Sequence, residues 1–154
     1  MSFVNTPKPL HREGDFQVSI PGMADLWFDK CDELKSTITE IKRTQGGQVH
    51  ETKRPGNVTY ANIKLEWGST ADQRPYLWHK QCQDAIANRG AVDPVFLKDV
   101  SITQYAPDKL TVLERIVLHA TWPPEFGSGG WDAENKNFRV KNMSLAFETA
   151  EIIA

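Results

Sequence analysis

Alternating apolar and polar positions dominate this chain, and helical periodicity is convincing in one stretch. In FQVSI at 16–20, Phe16, Val18 and Ile20 fall on one side and Gln17 and Ser19 on the other, the pattern of a strand with one buried face. Pro21-Gly22 stops it. The run LWFDKCDEL is ambiguous, because Trp27 and Phe28 are adjacent and point to opposite faces of any strand. STITEIKRT at 36–44 is rich in β-branched residues and reads as a strand that continues into a polar projection, which Pro55-Gly56 closes as a turn. TYANIKLEW at 59–67 alternates well, with Ile63, Leu65 and Trp67 on one face and Lys64 and Glu66 on the other.

The helical stretch follows. Asp72 suits the N-cap, and Pro75 falls in the first turn, where a missing N–H costs little. Trp78, Cys82, Ala85 and Ile86 recur at helical spacing as one apolar stripe; Arg89 belongs to the last turn and Gly90 to the C-terminal cap. Strands then resume. DVSITQYA at 99–106 buries Val100 and Ile102, and the turn Ala106-Pro107-Asp108-Lys109 leads into LTVLERIVLHATW. There Val112, Glu114, Ile116 and Leu118 share one side, and Leu113, Arg115, Val117 and His119 the other. Two largely apolar faces imply that both are covered, part of the cover coming from another subunit. Pro123-Pro124 ends that strand, FGSGGWD is loop, and NFRVKNMSLAFETAEII is one long last strand.

About seven strands and one helix predict a mainly β fold, an antiparallel sandwich or barrel with the helix packed against it. Residues 1–13 read as an N-terminal arm and 14–154 as a single domain carrying an extended hairpin around 36–60. That hairpin poses a question. Its connection, RTQGGQVHETKRPG at 43–56, is long and polar with no apolar face of its own, whereas a simple hairpin needs about two to five connecting residues.

Composition narrows the class. With 154 residues, 40% apolar and 25% charged, the chain has an ordinary globular balance and can bury roughly 70% of its unfolded surface without staples. A net charge of −2 gives no global attraction to nucleic acid or anionic lipid. Two cysteines, no signal-peptide core and no apolar run of membrane-spanning length point to a chain made in a cytosol with free thiols, a reading compatible with export inside a larger particle.

Candidate chemistry is thin. His79 and Cys82 lie three apart on the helix and can meet, but a zinc site needs more ligands, and Cys31, His50 and His119 lack a recognisable spacing. Cys82 sits on the apolar stripe, where free cysteine acts as a small hydrophobe. Gly127-Ser128-Gly129-Gly130 does not open a helix and is no phosphate cradle. The basic pairs Lys42-Arg43 and Lys53-Arg54 flank the projection, with Glu40 and Glu51 beside them. No catalytic residue, metal ligand or cofactor site is indicated.

Several segments in order carry a resemblance: FQVSI, a projection with a Gly-Gly pair, PGNVTYANIKLEWGST, PYLWHKQCQDAI, KDVSITQYAPDKLTVLERIVLHATWPPEF and NMSLAFETAEII. Together they resemble the tail tube proteins of contractile-tail phages and of phage tail-like contractile injection systems. The family typically shows proline-glycine, then a strand ending in L-x-x-G, a helix with tryptophan, and a strand ending in A-W-P. Here Pro55-Gly56, Leu65-Glu66-Trp67-Gly68, Trp78 and Ala120-Thr121-Trp122-Pro123 hold those places, over about residues 14–152. The inserted threonine, and an Arg-Thr-Gln lead into the Gly-Gly pair where an acidic residue is usual, bear on subtype rather than family.

The resemblance implies hexameric rings stacked into a hollow tube, with each subunit lending strands to a continuous β-barrel around the lumen. A contractile sheath surrounds such tubes, and the fold is similar to the type VI secretion tube. The implied partners are further copies of the chain, a sheath protein, a baseplate hub or tube-initiator, a tape-measure protein, and DNA or protein effector as lumen cargo. No cofactor and no membrane insertion of its own are implied. On this reading residues 43–56 meet the neighbouring ring: Gly46-Gly47 permit a turn with positive φ, and Lys42, Arg43, Lys53 and Arg54 pair with acidic groups across the joint. The alternatives are a type VI-like tube or baseplate tube-initiator, a monomeric β-barrel ligand binder, and a hydrolase dependent on His79 or Cys82.

Overall fold

One long strand, β7 (Val112–Gly127), organises the computed structural model, which describes residues 10, 12–23, 25–47, 49–87 and 96–153. Its neighbours change half-way along. The first half pairs with β6 (Lys98–Tyr105) and with β9 (Thr149–Ile152); the second half pairs with β8 (Val140–Ala146). Adding β1 (Phe16–Ser19) beyond β6, and β5 (Ile63–Gly68) then β2 (Lys30–Cys31) beyond β8, gives a seven-stranded sheet with every pairing antiparallel. Helix α1 (Arg74–Ala87) packs on β7. Two strands stay outside this sheet. β3 (Ser36–Arg43) and β4 (Thr52–Tyr60) pair only with each other. The expected mainly β class with one helix therefore holds.

The structure corrects the expected end of β7. Pro123-Pro124 do not stop the strand, which runs on to Gly127. The register shifts between Trp122 and Glu125, so the prolines sit in a bulge, where no ladder N–H is demanded of them. Just before it, Ala120 has φ 52°, a left-handed conformation uncommon outside glycine, and Thr121 Oγ1 donates to the Leu118 carbonyl at 3.1 Å. Here β7 turns a corner between its two sets of partners. The expected last strand bends at the same level: it is β8 and β9, interrupted at Phe147-Glu148, with the Glu148 N–H on the His119 carbonyl at 3.1 Å. The expected single strand at 59–67 is also two, because Ala61-Asn62 carry the chain from hairpin to main sheet.

The core follows the period-two pattern. Ile63, Leu65 and Trp67 are buried from β5, Met143 and Leu145 from β8, and Val18, Val100 and Leu118 from β1, β6 and β7. Burying each such side chain contributes about 1.5–3 kcal/mol before ordering costs. Phe28 meets Trp67 edge-on at 5.6 Å, whereas its neighbour Trp27 is exposed, so the adjacent aromatics do split between two sides.

At the helix, Asp72 Oδ1 accepts the Arg74 N–H at 3.0 Å, and the first helical bond runs from Leu77 N–H to the Gln73 carbonyl. Pro75, Trp78 and Cys82 are buried and Ala85 is half-buried. Ile86, expected on the same stripe, is 74% exposed. It lies one residue past Ala85 and is rotated about 100° off that line. Arg89 and Gly90, the expected helix end, and most of the expected N-terminal arm lie outside the described residues.

Candidate functional site

All eight residues of β3 are exposed, and so are most of β4. A two-stranded ribbon alone in water is marginally stable at best, which makes this hairpin the candidate site. Its pairing is continuous through Pro55 and Gly56, which correspond to Glu40 and the bulge beside it. They are not the expected turn. In a two-stranded ribbon each strand is an edge, so Pro55 need donate nothing. Two residues of β4, Gly56 and Asn57, oppose Thr39 alone. A Cβ on Gly56 would stand 2.9 Å from the Thr39 carbonyl oxygen, so the bulge selects glycine through close backbone approach. The connection lies at residues 44–51, with Gly47 at φ 86°, the positive value expected of the Gly-Gly pair.

The register gives the ribbon two unlike faces. Ile38 and Val58 pair on one face, followed by Glu40 with Pro55 and Lys42 with Lys53. Thr37 with Thr59, Ile41 with Arg54, and Arg43 with Thr52 make the other. Lys53 Nζ lies 4.0 Å from Glu40 with both side chains about 60% exposed, a pair worth at most about 1 kcal/mol. Lys42, Arg43, Lys53 and Arg54 thus gather at the outer end of the ribbon, around the turn with Gly46 and Gly47.

The remaining motif positions hold the body together. Trp67 is buried in β5 beside Phe28 and Phe126, and Gly68 ends that strand opposite Val140. Trp78 donates its indole N–H to the Phe96 carbonyl at 2.6 Å, under the Lys98 ammonium. Trp122 is half-buried opposite Ala146, and the carbonyl of buried Pro123 accepts the His79 Nδ1–H at 2.9 Å.

The thiols and histidines are differently placed. Burial pushes the Cys31 thiol up to about 12, helped by Asp32, and burial raises Cys82 too, so both stay protonated at neutral pH. His79 is taken up by Pro123 and Gln83, and His119 lies 3.6 Å from Asp99 and 3.5 Å from Glu151. Among the described residues no three His, Cys, Asp or Glu side chains are grouped to hold a metal ion.

The family model of the T4-like virus tail tube protein gp19 matches residues 12–151. The chain belongs to that tail tube family. No curated protein matches it significantly. Among solved structures, a chain of the anti-feeding prophage cap, described as a tube terminating cap, superposes with TM-score 0.80 at 20% identity, over 99% of this chain and 95% of that one. A chain of the PVC sheath-tube complex of an extracellular contractile injection system, in the extended state, gives TM-score 0.75 at 22% identity, over 98% and 94%. Hcp1 from Flavobacterium johnsoniae gives 0.51 at 13% identity, over 89% and 93%. At these identities the likeness is one of fold. The tail tube family is structural, and no helix among the described residues is long and apolar enough to cross a membrane.

Sequence reasoning missed the exposure of Trp27, Trp131 and Phe138. The adjacency of Trp27 and Phe28 signalled two sides without saying which one faces water.

Proposed function

We propose that this chain is an inner-tube subunit, assembling as hexameric rings that stack into a hollow tube inside a contractile sheath. The observation that carries the reading is the β3–β4 hairpin, exposed along its length on a body that belongs to the tail tube family. Its ladder edges and exposed Ile38, Ile41 and Val58 need cover that this chain alone does not give. A neighbouring ring supplies it. The basic outer end, Lys42, Arg43, Lys53 and Arg54 around Gly46-Gly47, pairs with carboxylates across the joint.

The role is mechanical, and no residue is asked to do chemistry. Large β-rich contacts give rigidity, and ring symmetry lets one patch recur around the tube. The partners are further copies, a sheath protein, a baseplate hub or initiator, a tape-measure protein, and DNA or an effector in the lumen. Assembly takes place in the bacterial cytoplasm, and the finished particle carries the chain out of the cell. Charge reversal of Lys53 and Arg54 to glutamate tests this reading: the monomer stays folded and stacking stops. Normal tubes from that double variant would take the basic hairpin out of the joint, and a chain that stays monomeric beside sheathed particles would contradict the tube reading.

A second reading has support of its own. Chains from the cap and from the baseplate of the anti-feeding prophage share this fold, with TM-scores of 0.80 and 0.73. A component at the tube's end uses the same hairpin against a single ring.

A further inference from the structure

Trp27 is 77% exposed, yet its position is fixed. Buried Leu26 and half-buried Phe28 anchor the chain on either side, and the Asp29 N–H is bonded to the Glu66 carbonyl at 2.8 Å. Exposed Trp131 carries the Arg139 guanidinium on its ring at 4.6 Å, whereas Trp27 makes no ring or cation contact among the described residues. Trp27 lines two clefts. One, of about 380 Å³, includes Asp25, Asp29, Gly68 and Asp72 in its wall; the other, of about 230 Å³, includes Asp15 and Lys109 and carries no acidic surplus. In the larger cleft Arg74 is paired with Asp25 at 2.7 Å and with Asp72 at 2.6 Å, which leaves Asp29 as the carboxylate of that wall open to a partner. Residues 25–33 carry four carboxylates against one lysine. A rigid exposed aromatic with a charged rim has the make-up of an interface hot spot.

The same chain carries the complement. The outer hairpin, residues 40–54, has four lysines and arginines against two glutamates, with exposed Ile41 among them. We infer that Trp27 and its acidic rim are the receptor for the basic hairpin of a second copy of this chain. The inference rests on the tube reading and adds to it the surface that the hairpin meets. Cations of the hairpin lie over the indole and beside Asp29, an arrangement that tryptophan faces favour. Knob and receptor are different parts of one chain, so the contact is heterologous and propagates from copy to copy.

Two measurements test it. In producing cells, p-benzoylphenylalanine placed at position 27 is photo-activated and its adducts mapped by mass spectrometry. The expected adduct joins position 27 of one copy to residues 38–58 of another. An adduct to any other surface or protein, or none, overturns the inference. The second measurement is charge exchange. Asp29→Lys with Asp32→Lys blocks pelleting of tubes, as Lys53→Glu with Arg54→Glu does, and co-expressing the two double variants restores it. Trp27→Ala raises the concentration needed for assembly at least about tenfold. Wild-type pelleting by the Asp29/Asp32 and Trp27 variants, with the Lys53/Arg54 variant still blocked, overturns this receptor and leaves the tube reading standing. Wild-type pelleting by the Lys53/Arg54 variant takes the basic hairpin out of the joint and overturns this receptor with it, whereas a wild-type chain that stays in the supernatant as a monomer removes the tube reading itself.

Discussion

Lys42 stands directly opposite Lys53 across the β3–β4 ladder. Like charges in that relation destabilise a ribbon, and among the described residues only Glu40, 4.0 Å from Lys53, offsets them in an ion pair. A free hairpin has no use for the pairing, whereas one that inserts beside carboxylates gains from it. Lys42→Glu is therefore expected to stabilise the isolated chain slightly, by up to about 0.5 kcal/mol, while reducing the mass of pelletable tube. Thermal melting and sedimentation of the same preparation read the two opposed effects.

Gly56→Ala is expected to loosen the hairpin while sparing the body. The new Cβ meets the Thr39 carbonyl oxygen at 2.9 Å, and the hairpin contributes no residue to the buried core. Hydrogen exchange of the β3 amides should quicken at least about tenfold, with the melting temperature nearly unchanged. A large drop in melting temperature would show that the ribbon supports the body.

Trp67→Ala is expected to act in the opposite way. It removes a fully buried ring that contacts Phe28 and Phe126, at a cost of about 3–5 kcal/mol. Melting should fall steeply or folding fail, and assembly should be lost with it.

Acid sensitivity has a sign and a location. Asp108 accepts the N–H groups of Leu110 and Thr111 and the Thr111 hydroxyl, which hold its carboxyl below the ordinary 3.8. Asp72 is lowered chiefly by Arg74. A depressed carboxyl stabilises the fold above its unfolded pKa, and that contribution is lost as pH falls through the folded value. Asp108→Asn should thus melt below wild type at pH 7, and the gap should narrow below about pH 4.

How much was legible in the sequence follows from what local pattern encodes. Ile63, Leu65 and Trp67 declared their face, and Asp72 with Pro75 declared the helix start, because period and capping are local. Pro55-Gly56 and Pro123-Pro124 misled, since a proline's role depends on whether its strand is an edge or bulged there, which only the partner strand decides. The basic residues of the hairpin were readable as pairs in sequence. The opposition of Lys42 and Lys53 was not, because it depends on the length of the connection and on the bulge at Gly56. Trp27 stayed hidden because its exposure depends on where Trp67 draws Phe28.

Negative-stain electron microscopy of high-speed pellets from producing cells, with the protein identified by mass spectrometry, tests the central claim most directly. The account expects hollow rods of stacked rings that contain this chain. Sheathed particles that pellet without it, while the chain stays in the supernatant as a monomer, would contradict the account.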